Sequence, residues 1–405
     1  MKARRDLSAD ELTGLYAELD RRLGGIGVDT QPGIAMRILD LTQNPDAGMQ
    51  DYSDIIRNDP GLTGRLIRLS NSAFFAQRKP VTNIDRACVL LGLARMRSIA
   101  LGFYLSKAAS ADKGAKISRE VWGQSVYRAC LAAEVARHVL PSCAPEAFII
   151  GLMLDAGIPL AHKLLGTQFD LLYEQGLPSS KSFNIEYNEH PFTHVDIMTA
   201  MLRRWKFPEL LAKPIMWHHT PPPPGADSRE PLRVLHRIAF YIGAVTLLPD
   251  ATPTARPPAA AIGKMHLGLD SAKLEAIASR SSVECEAVLE LFADVADPLE
   301  VSDLSSRVHQ QLVNVLDDQM VDGLRNDSAI GPQQFLLGGL VVLIRPEQDG
   351  HGAAYSYDAD GEPISSYRFT MACESPSSIR ASLGLEPDPT DDIDGMSEYL
   401  KAVAA

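Results

Sequence analysis

The stretch "NDPGLTGRLIRLSNSAFF", residues 58–75, decides the fold class. Asp59 is placed to cap a helix N-terminus, and Pro60 suits the first turn, where a missing N–H goes unnoticed. Leu62, Leu66 and Leu69 recur at spacings of four and three and leave Arg65 and Arg68 on the other side. That is the period of an amphipathic helix, not the alternation of a strand.

The same period spreads outward. In "DTQPGIAMRILDLTQNP", Pro32 can begin a helix whose apolar side is Ile34, Ile38, Leu39 and Leu41. In "PVTNIDRACVLLGLARMRSIALGFYLS", Thr82 and Asp85 stand at capping-box spacing, and Gly92 separates two apolar stretches. Longer helical patterns follow over 117–220, including "SREVWGQSVYRACLAAEVARHVL", "FIIGLMLDAGIPLAHKLLG", "HPFTHVDIMTAMLRRWKF" and "PELLAKPIMWHHT". The proline tract 221–224 ends them. Helical patterning resumes in "REPLRVLHRIAFYIGAVTLL" and, after a Pro- and Ala-rich loop, over roughly 271–318. The tail changes character. "QQFLLGGLVVLIRPE" and "AAYSYDADGEPISSYRFTMACE" hold β-type runs, with Asp360-Gly361 as a turn signal, before an acidic helix or irregular end.

At 405 residues, with 45% hydrophobic and 22% charged residues, the composition is that of an ordinary globular protein. The strongest apolar run, 335–344, is interrupted by Gly338-Gly339 and falls well short of the roughly 20 residues of a spanning helix. The first residues lack the apolar core of a signal peptide. Five scattered cysteines without a C-x-x-C pair argue against a disulfide framework or zinc ribbon, so a cytoplasmic protein is expected. The net charge is −12, and residues 346–405 hold twelve acidic and three basic residues. Such a balance has no electrostatic footprint for nucleic acid and suits protein partners better.

Taken in order, "PGIAMRILDLTQNP", "DPGLTGRLIRLSNSAFF" and "PVTNIDRACVLLGL" closely resemble the first half of the HDOD domain, the HD-related output domain of bacterial signalling proteins. The second half is similar through the Trp122 helix, "LMLDAGIPL" and "HVDIMTAMLRRWKFPELLAKPIMWHH". The resemblance covers about residues 23–220. It implies a mainly α fold: a two-lobed all-helical module whose second lobe is like HD-superfamily hydrolases, here with a small α+β C-terminal appendage. The expected organisation is a helical leader over 1–22, the HDOD domain over 23–220, a helical extension completing the HD-like lobe over 221–329, and an acidic appendage of β-hairpin character over 330–405.

The resemblance also carries the positions of a hydrolase metal site. The first family histidine falls on Gln124, the His-Asp pair on Leu154 and Asp155, a later histidine on His194, the His-His pair on His218 and His219, and the closing aspartate near Phe240. Gln is a poor metal ligand, and Leu and Phe have no donor atom. A dismantled metal site is therefore expected, with no catalytic residue, no metal ligand set and no cofactor. Gln124, Asp155, His194, His218 and His219 are what remains of the pocket.

Plainer readings compete for each of these residues. Asp155, followed by Ala156-Gly157, reads first as a helix cap or kink. His190 and His194 stand four apart, as on one helix face, but read first as core or capping histidines. His218 and His219 would diverge by roughly 100° on a helix, one inward and one toward solvent. "YDADGEPIS" lacks the later Glu of a calcium loop, and no phosphate-loop, dinucleotide or nucleophile-elbow motif is present.

The function expected is that of a non-enzymatic regulatory module working through other signalling proteins, in motility, virulence, stress or second-messenger networks. A residual phosphohydrolase acting on a nucleotide or cyclic dinucleotide is the first alternative, and a pocket that senses a nucleotide without turnover the second.

Overall fold

Every residue from Glu146 to Ala161 is buried, so this stretch is apolar on all sides because it lies in the middle of the protein. The computed structural model describes mainly residues 2–25, 41–100, 116–165, 179–245, 263–289 and 332–404, with short interruptions in several of them. Its first helices are α1 (Ala9–Gly25), α2 (Met49–Arg57), α3 (Pro60–Ser70) and α4 (Ile84–Leu91). A second group follows: α5 (Lys116–Val139), α6 (Ala144–Met153), α7 (Gly157–Leu165), α8 (Ser179–Glu189), α9 (His194–Arg204), α10 (Glu209–Trp217), α11 (Pro231–Ala244) and α12 (Ser271–Leu289).

The leucine pattern that opened the reading is the core face of α3. Leu62, Leu66 and Leu69 are all buried, and α3 begins at Pro60 as its fixed φ favours. Asp59 and the Pro32 helix lie outside the described residues. The expected Thr82–Asp85 capping box is replaced by a cap one residue on, where the Asn83 side chain accepts from the backbone N–H of Arg86 at 2.9 Å. Asn caps as well as Thr does, and it lies directly before the first helical residue.

One apolar core runs from Leu19 through both helical groups, so the lobes share their interior. At its centre α5 packs along α6, and the turn 154–156 then leads into α7. Gly157 permits this path: a Cβ there would stand 2.2 Å from the carbonyl oxygen of His194, so α7 can approach α9 only through a glycine. The stretch Pro141–Leu165 is long and apolar enough to cross a membrane by composition, which the run at 335–344 is not, but 78% of its apolar 18-residue window is buried within the protein. The leader packs against the second group. The Arg4 backbone N–H donates to the His190 carbonyl at 2.7 Å, and its guanidinium and the Tyr16 hydroxyl both bind the buried Asp196.

The tail forms an antiparallel sheet in the order β1 (Gln333–Leu337), β2 (Leu340–Pro346), β3 (His351–Tyr357) and β4 (Pro363–Thr370), followed by α13 (Pro376–Ser382) and α14 (Ile393–Ala404). Gly338 and Gly339, both left-handed, make the two-residue turn that joins β1 to β2. One face of the sheet is covered, and the other is covered in part, with Leu336 and Val341 left exposed on β1 and β2. Phe335, Leu337, Val342, Ile344 and Phe369 pack with Ile379, Met396, Tyr399 and Leu400 of the two helices. Leu343, Ala353, Tyr355 and Tyr357 form a second buried cluster. On that side the Tyr357 hydroxyl donates to the Pro221 carbonyl at 2.7 Å, and Lys213 pairs with Glu362 at 2.8 Å.

Two predictions follow from these positions. Leu66→Ala removes a fully buried side chain and should cost about 2–5 kcal/mol in urea unfolding, against about 1 kcal/mol for loss of the Asn83 cap in Asn83→Ala. His236 on α11 is buried and donates to the Thr220 carbonyl at 2.9 Å; burial outweighs its bonds to backbone carbonyls and pushes the imidazole down to about 4. Below pH 6.5 the unfolded chain therefore takes up a proton that the folded chain refuses, and stability falls as the pH drops from 6.5 toward 4. The fall attributable to His236 should reach at most about 3 kcal/mol and should be absent in His236→Gln, read as the difference between the two urea midpoints across that range.

Candidate functional site

Asp155 sits in the turn between α6 and α7, and its carboxylate points into the core rather than capping a helix. The Arg128 guanidinium on α5 donates to its Oδ2 at 2.6 Å, and both side chains are almost fully buried. Burial alone would raise the Asp155 pKa, but Arg128 and then His194 and His218 outweigh it and hold the carboxyl below its ordinary value. Arg128 lies one helical turn after Gln124, so the two share a face of α5. Gln124 itself is half-buried and makes no hydrogen bond to the cluster.

His194 is the first residue of α9. Thr193 and Asp196 position it through a reciprocal capping box: the Asp196 N–H donates to Thr193 Oγ1 at 3.1 Å, and the Thr193 N–H donates to the Asp196 carboxylate at 2.9 Å. The expected shared helix face of His190 and His194 is absent, because α8 ends at Glu189 and His190 lies in the loop before α9. The His194 backbone N–H and its ring Nδ1 both donate to the fully buried Glu186, at 2.7 and 2.8 Å. Burial works to lower the His194 pKa, but Glu186 and then Asp155 and Asp196 raise it above its ordinary value.

His218 and His219 do not diverge. Helix α10 ends at Trp217, and the pair lies in the turn after it, where the 100° step of a helix no longer applies. Their rings are 4.1 Å apart. The His218 Nδ1 donates to the Ile215 carbonyl at 2.7 Å, and burial, followed by the neighbouring His194, pushes its pKa down to about 4. His219 is half-buried and stacked on Phe183, with centroids 4.2 Å apart. The result is a convergence of Nε2 atoms. That of His194 lies 3.4 Å from His218 and 3.3 Å from His219, and Asp155 Oδ1 lies 3.9 and 3.8 Å from His194 and His218.

The tail closes one side of this site. The Arg368 guanidinium on β4 stands 4.8 Å over both the Phe183 and Tyr187 rings and donates to Asn184 at 3.1 Å. Arg345 on β2 lies over Phe240, where the closing aspartate was expected. The sequence reading missed Arg128 and Glu186. Arg128 was discoverable from its spacing to Gln124, whereas nothing in the pattern around Glu186 marks it.

The HDOD domain family model matches residues 28–221. An uncharacterized protein of Treponema pallidum (strain Nichols) is 22% identical over 244 residues, covering 57% of this chain and 45% of that one, so the chain spans less than half the length of this relative. Among solved structures, the chain is similar to a protein of Marinobacter aquaeolei VT8 provisionally described as a signal transduction protein. The identity is 20% and the TM-score 0.42, over 69% of this chain and 60% of the other. It is also similar to an HDOD domain protein of unknown function from Geobacter sulfurreducens, at 19% identity and TM-score 0.46, over 69% and 99% of the two chains.

The Arg128–Asp155 pair makes a stability prediction. Asp155→Leu strands a buried guanidinium and should cost about 3–5 kcal/mol in urea unfolding, while Arg128→Met combined with Asp155→Leu should recover most of that loss. A single variant as stable as the wild type would show that the pair does not hold α5 to the α6–α7 turn.

Proposed function

Since the chain carries an HDOD domain over residues 28–221, we propose that it works as a non-catalytic regulatory module, passing a signal through contacts with other signalling proteins. The observation that supports this reading is the ion pair between Arg128 and Asp155, buried at 2.6 Å. A hydrolase of the HD type needs this carboxylate on a metal, with a coordination position open for the attacking water. Here a guanidinium already satisfies it. Leu154 and Phe240, at two more of the expected ligand positions, bring no donor atoms, and both are buried apolar groups. The helical frame is kept while the charge it was built around is neutralised from inside.

A contact-based role also accords with the tail. Asp358, Asp360 and Glu362 lie in the turn between β3 and β4, and the sheet is fastened to the helical body there through Lys213, Arg233 and Pro221, so a partner binding this end of the tail would pull on the wall of the former pocket. The cytoplasm is the compartment this reading needs.

The test is a search for turnover. Protein in excess over substrate, incubated with Mn²⁺, Fe²⁺ or Mg²⁺, should leave cyclic dinucleotides and nucleoside phosphates intact. Hydrolysis that disappears in Asp155→Asn would replace the regulatory reading with the residual phosphohydrolase.

A further inference from the structure

We propose that His194, His218 and His219 form a three-imidazole site for a zinc-class divalent cation, with Asp155 withheld from the metal by Arg128. This goes beyond the regulatory reading and departs from the sequence expectation of no metal. That expectation counted the lost donors at Gln124, Leu154 and Phe240, and it sent one of the paired histidines to solvent.

Two of the three nitrogen–nitrogen edges have the length of a coordination shell. Zinc–imidazole bonds of about 2.0–2.1 Å set the nitrogens of a tetrahedral site about 3.3–3.4 Å apart. The Nε2 of His194 lies 3.4 Å from that of His218 and 3.3 Å from that of His219, and the three histidines offer ligand atoms all within 4.8 Å of one another.

The hydrogen bonds at the far sides of the rings point the same way. His194 donates its Nδ1–H to Glu186, and His218 donates its Nδ1–H to the Ile215 carbonyl. With His194 neutral, as ligation of a metal requires, each ring turns an Nε2 lone pair toward the other across 3.4 Å. Two facing lone pairs repel unless something positive, a proton or a metal ion, lies between them. A carboxylate or carbonyl behind each ligating imidazole is also the outer arrangement that fixes ring orientation and raises ligand basicity at metal sites.

The donor set selects the ion. Imidazoles suit zinc, cobalt, nickel and copper, whereas magnesium and calcium require oxygen. Asp155 Oδ1 stands near the fourth vertex, 3.8–3.9 Å from two of the nitrogens, but its other oxygen is bound to Arg128 at 2.6 Å. With the carboxylate paired, the fourth position falls to water or to a group from a ligand. Phe183, stacked on His219 and held under Arg368, walls that side.

The experiment uses tag-free full-length protein stripped with chelator and titrated with cobalt(II) and then zinc(II). One equivalent of cobalt should give the visible ligand-field bands of a four-coordinate site, and one equivalent of zinc should abolish them. Magnesium should have no effect. The bands should be lost in His194→Ala and His218→Ala. Glu186→Gln should keep the spectrum and weaken affinity about 10–100-fold. The Arg128→Met and Asp155→Leu double variant should bind with an unchanged spectrum, because Asp155 is not a ligand; a changed spectrum or lost binding in a folded double variant overturns that part.

Circular dichroism establishes folding for every variant. If the two buried variants fail to fold, His219→Gln at the half-buried rim carries the test, and loss of four-coordinate bands is again required. Failure of the natively folded wild type to bind one equivalent overturns the site, as does binding that survives removal of these histidines. Either failure leaves the regulatory reading standing, since that rests on the absence of turnover.

Discussion

A carboxylate in the middle of an apolar body must find positive charge or remain protonated. Asp155 finds Arg128, which reaches it from α5 while the Asp155 backbone holds the turn between α6 and α7. Three elements of the second helical group are thus tied at one buried point, surrounded by the residues of the unbroken buried run 146–161. An ion pair of this kind contributes little net stability over an apolar replacement, but breaking it is costly, so it acts as a constraint on arrangement. The close passage of Gly157 past the His194 carbonyl then fixes where α9 begins, and with it the first imidazole.

From that point the polar interior extends outward in an ordered chain. Glu186 grips His194 from behind, His194 faces His218 and His219, and His219 stacks on Phe183. Phe183 lies under Arg368 of the C-terminal sheet. A change in the charge or occupancy of the imidazole cluster therefore has a short physical path to the tail. The path consists of a ring stack and a cation over an aromatic face, contacts that respond to sub-ångström displacement. The sheet has a core of its own against α13 and α14, yet the β3–β4 end of it is tied to the helical body. The tail is attached by specific polar contacts as well as by the chain.

Much of the fold was legible in the sequence because its causes are local. The spacing of Leu62, Leu66 and Leu69, the proline opening α3, the glycine pair between β1 and β2, and the Asp360-Gly361 turn each act over a few residues through sterics and backbone hydrogen bonding. The cap at Asn83 was misplaced by one residue for the same reason. Neighbouring polar side chains offer nearly equal caps, and the packing of α4 chooses between them.

The candidate site was legible only as a set of separate positions. Asp155, His194, His218 and His219 could be named, but whether they meet depends on groups far apart in the chain: Arg128 on another helix, Glu186 eight residues before the histidine it holds, and Arg368 from the tail. Helical periodicity even sent His218 and His219 apart, since it could not know that α10 ends at Trp217. The sequence by itself determined the helices, the terminal hairpins and the absence of donor atoms at Leu154 and Phe240. Only the tertiary structure decided that a guanidinium neutralises Asp155 and that three imidazoles converge beside it, because those distances are set by how buried helices pack and not by any spacing along the chain.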